Sequence, residues 1–348
     1  MKISDFDFTV PDELIAQHPA PKRDGSRMML IRLDTGKREH LRFSDLPDIL
    51  GPEYFLVANE TRVFPARLHA CRPGKNENIE ILLLRQDSPK RWLSVTKPGR
   101  KTPVGQRLQI GDITARVFAI TESANRVIEF DGFEHGENLF EFFEKIGETP
   151  TPPYIKRKDS VDATEDRLRY QTVYARQNGS VAAPTAGLHF TEEVLRRLGA
   201  RGVPMYKILL HIGYGTFKPV RVENIEEHEM EPEFYSVDAE TAARIRALKN
   251  EGRRLVAVGT TSTRCLEYLA LDSYSFDRAA SGYCNLFIYP GFEFKALNGL
   301  ITNFHLPKST LFMLVSAFAG RELMLDCYRE AISLGYRFYS YGDCMLIL

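Results

Sequence analysis

The sequence lacks the features that would put it in a membrane or outside a cell. Its longest apolar runs are about half of the ~20 residues that a bilayer-spanning helix needs. The opening stretch, "MKISDFDFTVPDEL", has no apolar core of the kind a secretory signal carries. Cysteine is scarce: Cys71, Cys265, Cys284, Cys327 and Cys344 are scattered, odd in number and without a C-x-x-C pair. This pattern argues against a disulfide framework and against a zinc site. No metal is therefore expected, and the expected setting is cytoplasmic.

An excess of either charge is missing too. The 46 Lys and Arg residues balance 46 Asp and Glu residues. Composition announces no polyanionic partner, although RNA binding needs only one basic face. Lys156-Arg157-Lys158 and the Lys97/Arg100/Lys101 group are candidate faces, and solvated charge explains each equally well. No internal repeat or low-complexity tract is present.

What is there is ordinary globular material: 348 residues, 43% hydrophobic and 26% charged, with room for about two domains. From about 61 to 150 the chain reads as short strands, such as "NIEILLLR", "RWLSVTKP" and "NRVIEFDG", bounded by Gly, Pro, Asn and Asp. Such spacing predicts a small barrel or sandwich. Pro150, Pro152 and Pro153 then mark a stiff connection. Beyond 180, strands ("VPMYKILLHIG", "RRLVAVG") alternate with helices ("TEEVLRRLGARG" with Thr191 as cap, "AETAARIRALKNEG", "TRCLEYLAL"). The expected fold is α/β, a layered α/β major domain (1–60 plus 151–348) with an inserted small β-barrel domain (61–150).

Four polar stretches fall where strands end or helices begin: "SVAAPTAGLHF", "HIGYGTFKPV", "VGTTSTR" and "TNFHLPKST". Ligands of open α/β sheets gather beyond the carboxyl ends of the strands, and helix N-termini there suit anions. Lys308-Ser309 is not a phosphate-binding loop, because Pro307 stands where that loop needs glycine. Gly213-Tyr214-Gly215 runs into "TFKPV" and not into a helix, so it is no dinucleotide turn. Any one stretch alone is explained by a capping turn. Four in one half of the chain point to an enzyme with an anionic or nucleotide-like ligand.

The strings "PPYIKR", "RYQTVYA", "GSVAAPTAGLHFT", "HIGYGTFKPV", "AVGTTSTR", "FIYPG", "TNFHLPKSTL" and "YRFYSYGDCMLI" together resemble the S-adenosylmethionine:tRNA ribosyltransferase-isomerase family of queuosine biosynthesis. "NETRVFPARL" matches with Glu60 where Asp is usual. Tyr214, Cys265 and the Glu231-Pro232 pair also depart from the pattern. The resemblance covers essentially the whole chain and implies an α/β body carrying a β-barrel. It implies transfer of the S-adenosylmethionine ribosyl group to 7-aminomethyl-7-deazaguanine at the tRNA wobble position. Isomerisation gives epoxyqueuosine, and adenine and methionine leave. S-adenosylmethionine would be consumed as a substrate, tRNA would be the partner, and the enzyme would act as a monomer.

That chemistry demands a base beside the sulfonium, an acid for the departing adenine and a route for the amine proton. Within the recognised stretches the candidates for catalysis are His189, His211 and His305, with Glu233. Glu229 and Glu233 are candidates to hold the cationic groups. Lys308, Ser309 and Thr310, or alternatively Thr260, Thr261 and Arg264, are candidates for the methionine carboxylate. Arg169, Tyr170 and Tyr174 combine charge with aromatic faces suited to an unstacked base. Thr185, Thr216, Phe217 and Asn303 complete the expected substrate-binding set. Two rival readings are an ordinary methyltransferase, which would keep the adenosyl group intact, and a non-catalytic RNA-binding module.

Overall fold

The computed structural model describes residues 1–133, 139–157, 160–213, 215, 220–271 and 276–348. Thr216, Phe217, Tyr214 and Lys158 of the expectations above lie outside the described residues.

All six residues of the strand Tyr54–Asn59 are buried, as are those of Gly299–Asn303 and Cys344–Ile347. Continuous burial of this kind marks strands covered on both faces. They belong to a nine-stranded sheet in the order Ala280–Cys284, Glu233–Val237, Met205–Leu210, Tyr54–Asn59, Arg254–Val258, Gly299–Asn303, Cys344–Ile347, Arg27–Ile31 and Arg38–Arg42. The four strands from Met205–Leu210 to Gly299–Asn303 run parallel to one another. Their carboxyl ends (Leu210, Asn59, Val258, Asn303) therefore share one edge.

Helices Ala239–Asn250, Gly259–Leu271, Thr310–Ala319 and Arg321–Ser333 pack on one face of this sheet, and Glu192–Ala200 packs on the other. Thr191 caps the last of these as expected, accepting from the Val194 N–H at 3.2 Å.

A second sheet carries six antiparallel strands between Arg67 and Phe130. Its first and last strands in spatial order are linked by paired hydrogen bonds between Cys71 and Gln109, 3.0 and 2.8 Å, which nearly close it into a barrel. The sequence reading missed the helix Leu139–Ile146, whose Leu139 and Phe143 plug this barrel against Phe64, Trp92 and Phe130. It also missed the helix Ser160–Arg169. The barrel core is separate from the two cores of the body, apart from Val181.

Candidate active site

The shared carboxyl edge of the parallel strands opens into a cleft of about 690 Å³. Three of the four strands deliver a wall. Gly259, Thr260 and Thr261 follow Val258, while Asn303, Phe304 and His305 close the neighbouring strand, and Ile212 lies beyond Leu210. The turn 182–186, including Thr185, and the pairs Tyr154/Tyr170 and Tyr339/Ser340 complete the lining. Among the described residues no acidic or basic side chain apart from His305 lines this cleft.

Of the expected residues, Tyr170, Thr185, Thr260, Thr261, Asn303, His305 and Ser309 come together here. Two lining atoms are buried with no hydrogen bond among the described residues: Tyr170 Oη and Asn303 Oδ1. The nearest polar neighbours of Tyr170 Oη are Ser340 and the Ala183 backbone. Burial keeps this phenol protonated far above neutrality.

The two proposed anion cradles prove physically different. Ser309 caps its own helix: its Oγ accepts from the Phe312 N–H at 3.2 Å and donates to Leu306 O at 2.7 Å. Lys308 pairs with Asp7 at 2.7 Å, and Thr310 begins the helix behind the cap. The polar run ahead of this apolar helix is thus spent largely on the helix itself.

The helix Gly259–Leu271 begins four residues earlier than its sequence suggested, so "TTSTR" belongs to its start and not to a loop. Ser262 and Thr263 turn their hydroxyls back to Val258 O (2.8 Å) and Gly259 O (3.2 Å). Gly259, Thr260 and Thr261 of its first turn line the cleft, and the start of a helix carries partial positive charge. Gly259 adopts φ +86, which lets the chain turn directly from strand to helix.

The three histidines occupy different environments. His305, 7% exposed, lines the cleft and shares a 2.9 Å hydrogen bond from Nε2 with Thr302 Oγ1. His189 lies behind the cleft wall, its Nδ1 2.7 Å from Ser26 Oγ and its ring tilted against Phe43. Its Nε2 faces Asn303 without closing a hydrogen bond. His211 precedes the lining residue Ile212; its Nδ1 meets Thr61 Oγ1 at 2.9 Å, and Thr61 meets Ser180 at 2.7 Å. Burial pushes His189 and His211 down to about 4 and His305 down to about 3. All three rings are neutral near pH 7, which suits bases and not acids.

Glu233 is not an open carboxylate. Its Oε2 lies 2.5 Å from Arg264 Nη1 and its Oε1 accepts from the Gly213 N–H at 2.8 Å. Arg264 in turn donates to Leu286 O at 2.9 Å, so it points away from Thr260 and Thr261. Both members of the pair are about 95% buried. Glu229 is exposed on the surface. Glu223, six residues earlier, binds Lys2 at 3.1 Å and so helps to hold the N-terminal segment. Arg169 turns into a second, smaller cleft, and Tyr174 packs over Gly187, where a Cβ would lie 2.3 Å from its hydroxyl.

Sequence reasoning missed Tyr154, Phe304, Tyr339 and Ser340 as site residues, although they sit inside or beside the quoted strings. Their signal was weak because aromatic residues there read equally well as core. Tyr339 holds φ +70 and Lys308 φ +55, conformations that cost energy for non-glycine residues and cluster at functional sites.

Residues 3–347 match the family model described as "Queuosine biosynthesis protein". A protein of Moorella thermoacetica named S-adenosylmethionine:tRNA ribosyltransferase-isomerase is 50% identical over 351 residues, covering all of both chains. One of the same name from Symbiobacterium thermophilum is 51% identical, again over all of both chains. The crystal structure of an S-adenosylmethionine tRNA ribosyltransferase from Thermotoga maritima is 36% identical, with a TM-score of 0.56 over 99% of this chain and 100% of that one. Agreement of this extent leaves one conclusion: the chain belongs to the queuosine biosynthesis protein family.

Proposed function

We propose that this protein transfers and isomerises the ribosyl group of S-adenosylmethionine onto 7-aminomethyl-7-deazaguanine at the wobble position of tRNA, forming epoxyqueuosine and releasing adenine and methionine. It acts as a cytoplasmic monomer, and the division into residues 1–60 plus 151–348 and 61–150 is part of the same proposal. The observation that carries it is one cleft pairing a helix start with an aromatic lining that, among the described residues, is free of carboxylates.

S-adenosylmethionine has three recognisable parts, and the cleft has a counterpart for each. The methionine carboxylate meets the first N–H groups of the helix Gly259–Leu271 and the hydroxyls of Thr260 and Thr261. The sulfonium, a permanent cation, faces the rings of Tyr154 and Tyr339, whose centroids lie 4.9 Å apart. Adenine presents a ring-nitrogen acceptor, which matches the Tyr170 hydroxyl. Donation from Tyr170 to that ring nitrogen eases departure of the base.

His305 is the base. With its Nε2 proton given to Thr302, Nδ1 is free to take the proton made acidic by the adjoining sulfonium. His189 orients Asn303 from behind the wall, and His211 steadies the Thr61–Ser180 corner. These two are positioning residues.

The test is a product assay with purified protein, S-adenosylmethionine and tRNA carrying 7-aminomethyl-7-deazaguanine. Free adenine and methionine appearing in step with epoxyqueuosine support the proposal. S-adenosylhomocysteine as the product would favour the methyltransferase reading, and tRNA binding without cofactor consumption would favour the binding module.

A further inference from the structure

A second cleft of about 290 Å³ adjoins the first, with Ser340 contributing to both. Arg23, Arg169, Ser26 and His189 line it, and no acidic side chain does. Arg23 spends its guanidinium on three carbonyls: Leu168 O at 3.0 Å, Leu188 O at 3.2 Å and Arg169 O at 3.4 Å. Arg169 donates to Ala20 O at 2.6 Å, and its Nε is buried with no partner among the described residues. Neither arginine meets a carboxylate in the described structure.

The nearest acids are engaged elsewhere. Asp166 holds Arg157 in a two-pronged pair and accepts from Tyr341. Asp343 accepts from the backbones of Arg27 and Arg337, and Asp24 accepts from Thr191. The two guanidiniums are close enough that Arg169 makes Arg23 easier to deprotonate, an effect second only to burial. Two partly buried like charges that line one cleft are held there by the carbonyls around them, with no carboxylate among the described residues to neutralise them. Planar guanidinium forks are the side chains best shaped for phosphate oxygens.

We infer that this second cleft is a phosphate subsite, built on Arg23 and Arg169, that takes a backbone phosphate of the RNA substrate next to the reacting nucleotide. The inference rests on the reading that the substrate is tRNA. Its position explains why Arg169 and Tyr170, neighbours in sequence, face different clefts: one holds the strand while the other attends the chemistry.

The test uses Arg23→Gln and Arg169→Gln in the full-length protein, with Arg169→Lys as a variant that keeps the charge and loses the fork. Binding of substrate tRNA is measured from 50 to 300 mM salt, and S-adenosylmethionine affinity is measured alone as a check on folding. Each Gln variant is expected to lower the slope of log affinity against log salt by about 0.7, the share of one single-strand phosphate. The Lys variant should restore most of that slope. Inorganic phosphate should raise the melting temperature of the wild-type protein and have less effect on the Gln variants. Unchanged slopes in folded variants overturn the inference. Stabilisation by phosphate with unchanged slopes also overturns it, in favour of a free phosphate as the ligand. Failure of the wild-type protein to bind tRNA at all would instead overturn the functional reading beneath it.

Discussion

Replacing Glu233 by Gln separates a chemical role for this residue from an architectural one. The carboxylate is buried against Arg264 at 2.5 Å and also receives the Gly213 N–H, so it joins a strand, a turn and a helix. Glutamine can still accept from Gly213, but its amide then presents N–H groups to the Arg264 N–H groups. A buried pair broken on one side costs about 3–5 kcal/mol, because the remaining charge is left without a partner in a poorly polarisable interior. That is roughly two to three and a half orders of magnitude in the folded-to-unfolded ratio. Urea unfolding should be followed by far-UV circular dichroism. The single tryptophan, Trp92, lies in the barrel core and would report on the wrong sheet. The double variant Glu233→Gln/Arg264→Met should be less destabilised than Glu233→Gln alone. If Glu233→Gln unfolds at the wild-type urea concentration while turnover collapses, the carboxylate acts in the reaction and the architectural account is wrong.

Four further outcomes are expected. Tyr154→Leu should weaken S-adenosylmethionine binding by roughly 0.5–2 kcal/mol and leave the neutral thioether S-adenosylhomocysteine less affected, whereas Tyr154→Phe keeps the ring and the discrimination; equal losses for both ligands would refute the aromatic contact. Ser309→Ala should cost about 1 kcal/mol of stability and Ser309→Asp much less, in a urea titration, as befits a cap. Gly179→Ala would place a Cβ 2.4 Å from the His211 ring and should destabilise by about 1–3 kcal/mol while disturbing the Thr61 contact; wild-type stability would show that the ring has room to move. Stability should also fall between pH 6.5 and 4. Buried His189 titrates near 4 and its unfolded form near 6.5, so the unfolded chain binds more protons in that window. The contribution, roughly 3 kcal/mol for His189, is complete above pH 6.5 and is lost as the pH falls towards 4; a flat profile of urea midpoints would contradict it.

Much of the scaffold was readable because its signals are local. Runs such as "EYFLVAN" and "RRLVAV" have the continuous apolar character of doubly covered strands, and Thr191 announces a helix start by its type and place. The helix Leu139–Ile146 was lost because "LFEFFEKI" follows the six strands of the barrel and reads as apolar and aromatic as they do. Within the site, His305, Asn303 and Thr260/Thr261 were found because strand ends gather at one edge. The Glu233–Arg264 pair was not, since it joins elements 31 positions apart and no periodicity encodes such a meeting. The same limit applies to Arg23 and Arg169, which are separated by 146 positions and brought together only by the fold.

The strand Cys344–Ile347 lies inside the nine-stranded sheet, between Gly299–Asn303 and Arg27–Ile31, and not at its edge. During synthesis the ribosome delivers Met28 early and its partner Cys344 only after every other strand of that sheet has been made. The hairpin of Arg27–Ile31 and Arg38–Arg42 therefore has no place to dock until that moment. The barrel, with nearly all of its core between Phe64 and Phe143, is free to form much sooner. A message cut short, or a ribosome stalled a few codons before Cys344, would yield a chain with a finished barrel and an open body. Every residue that lines the cleft would already be present in such a product, but the strand Gly299–Asn303, which carries Asn303 to it, would lack its neighbour on one side.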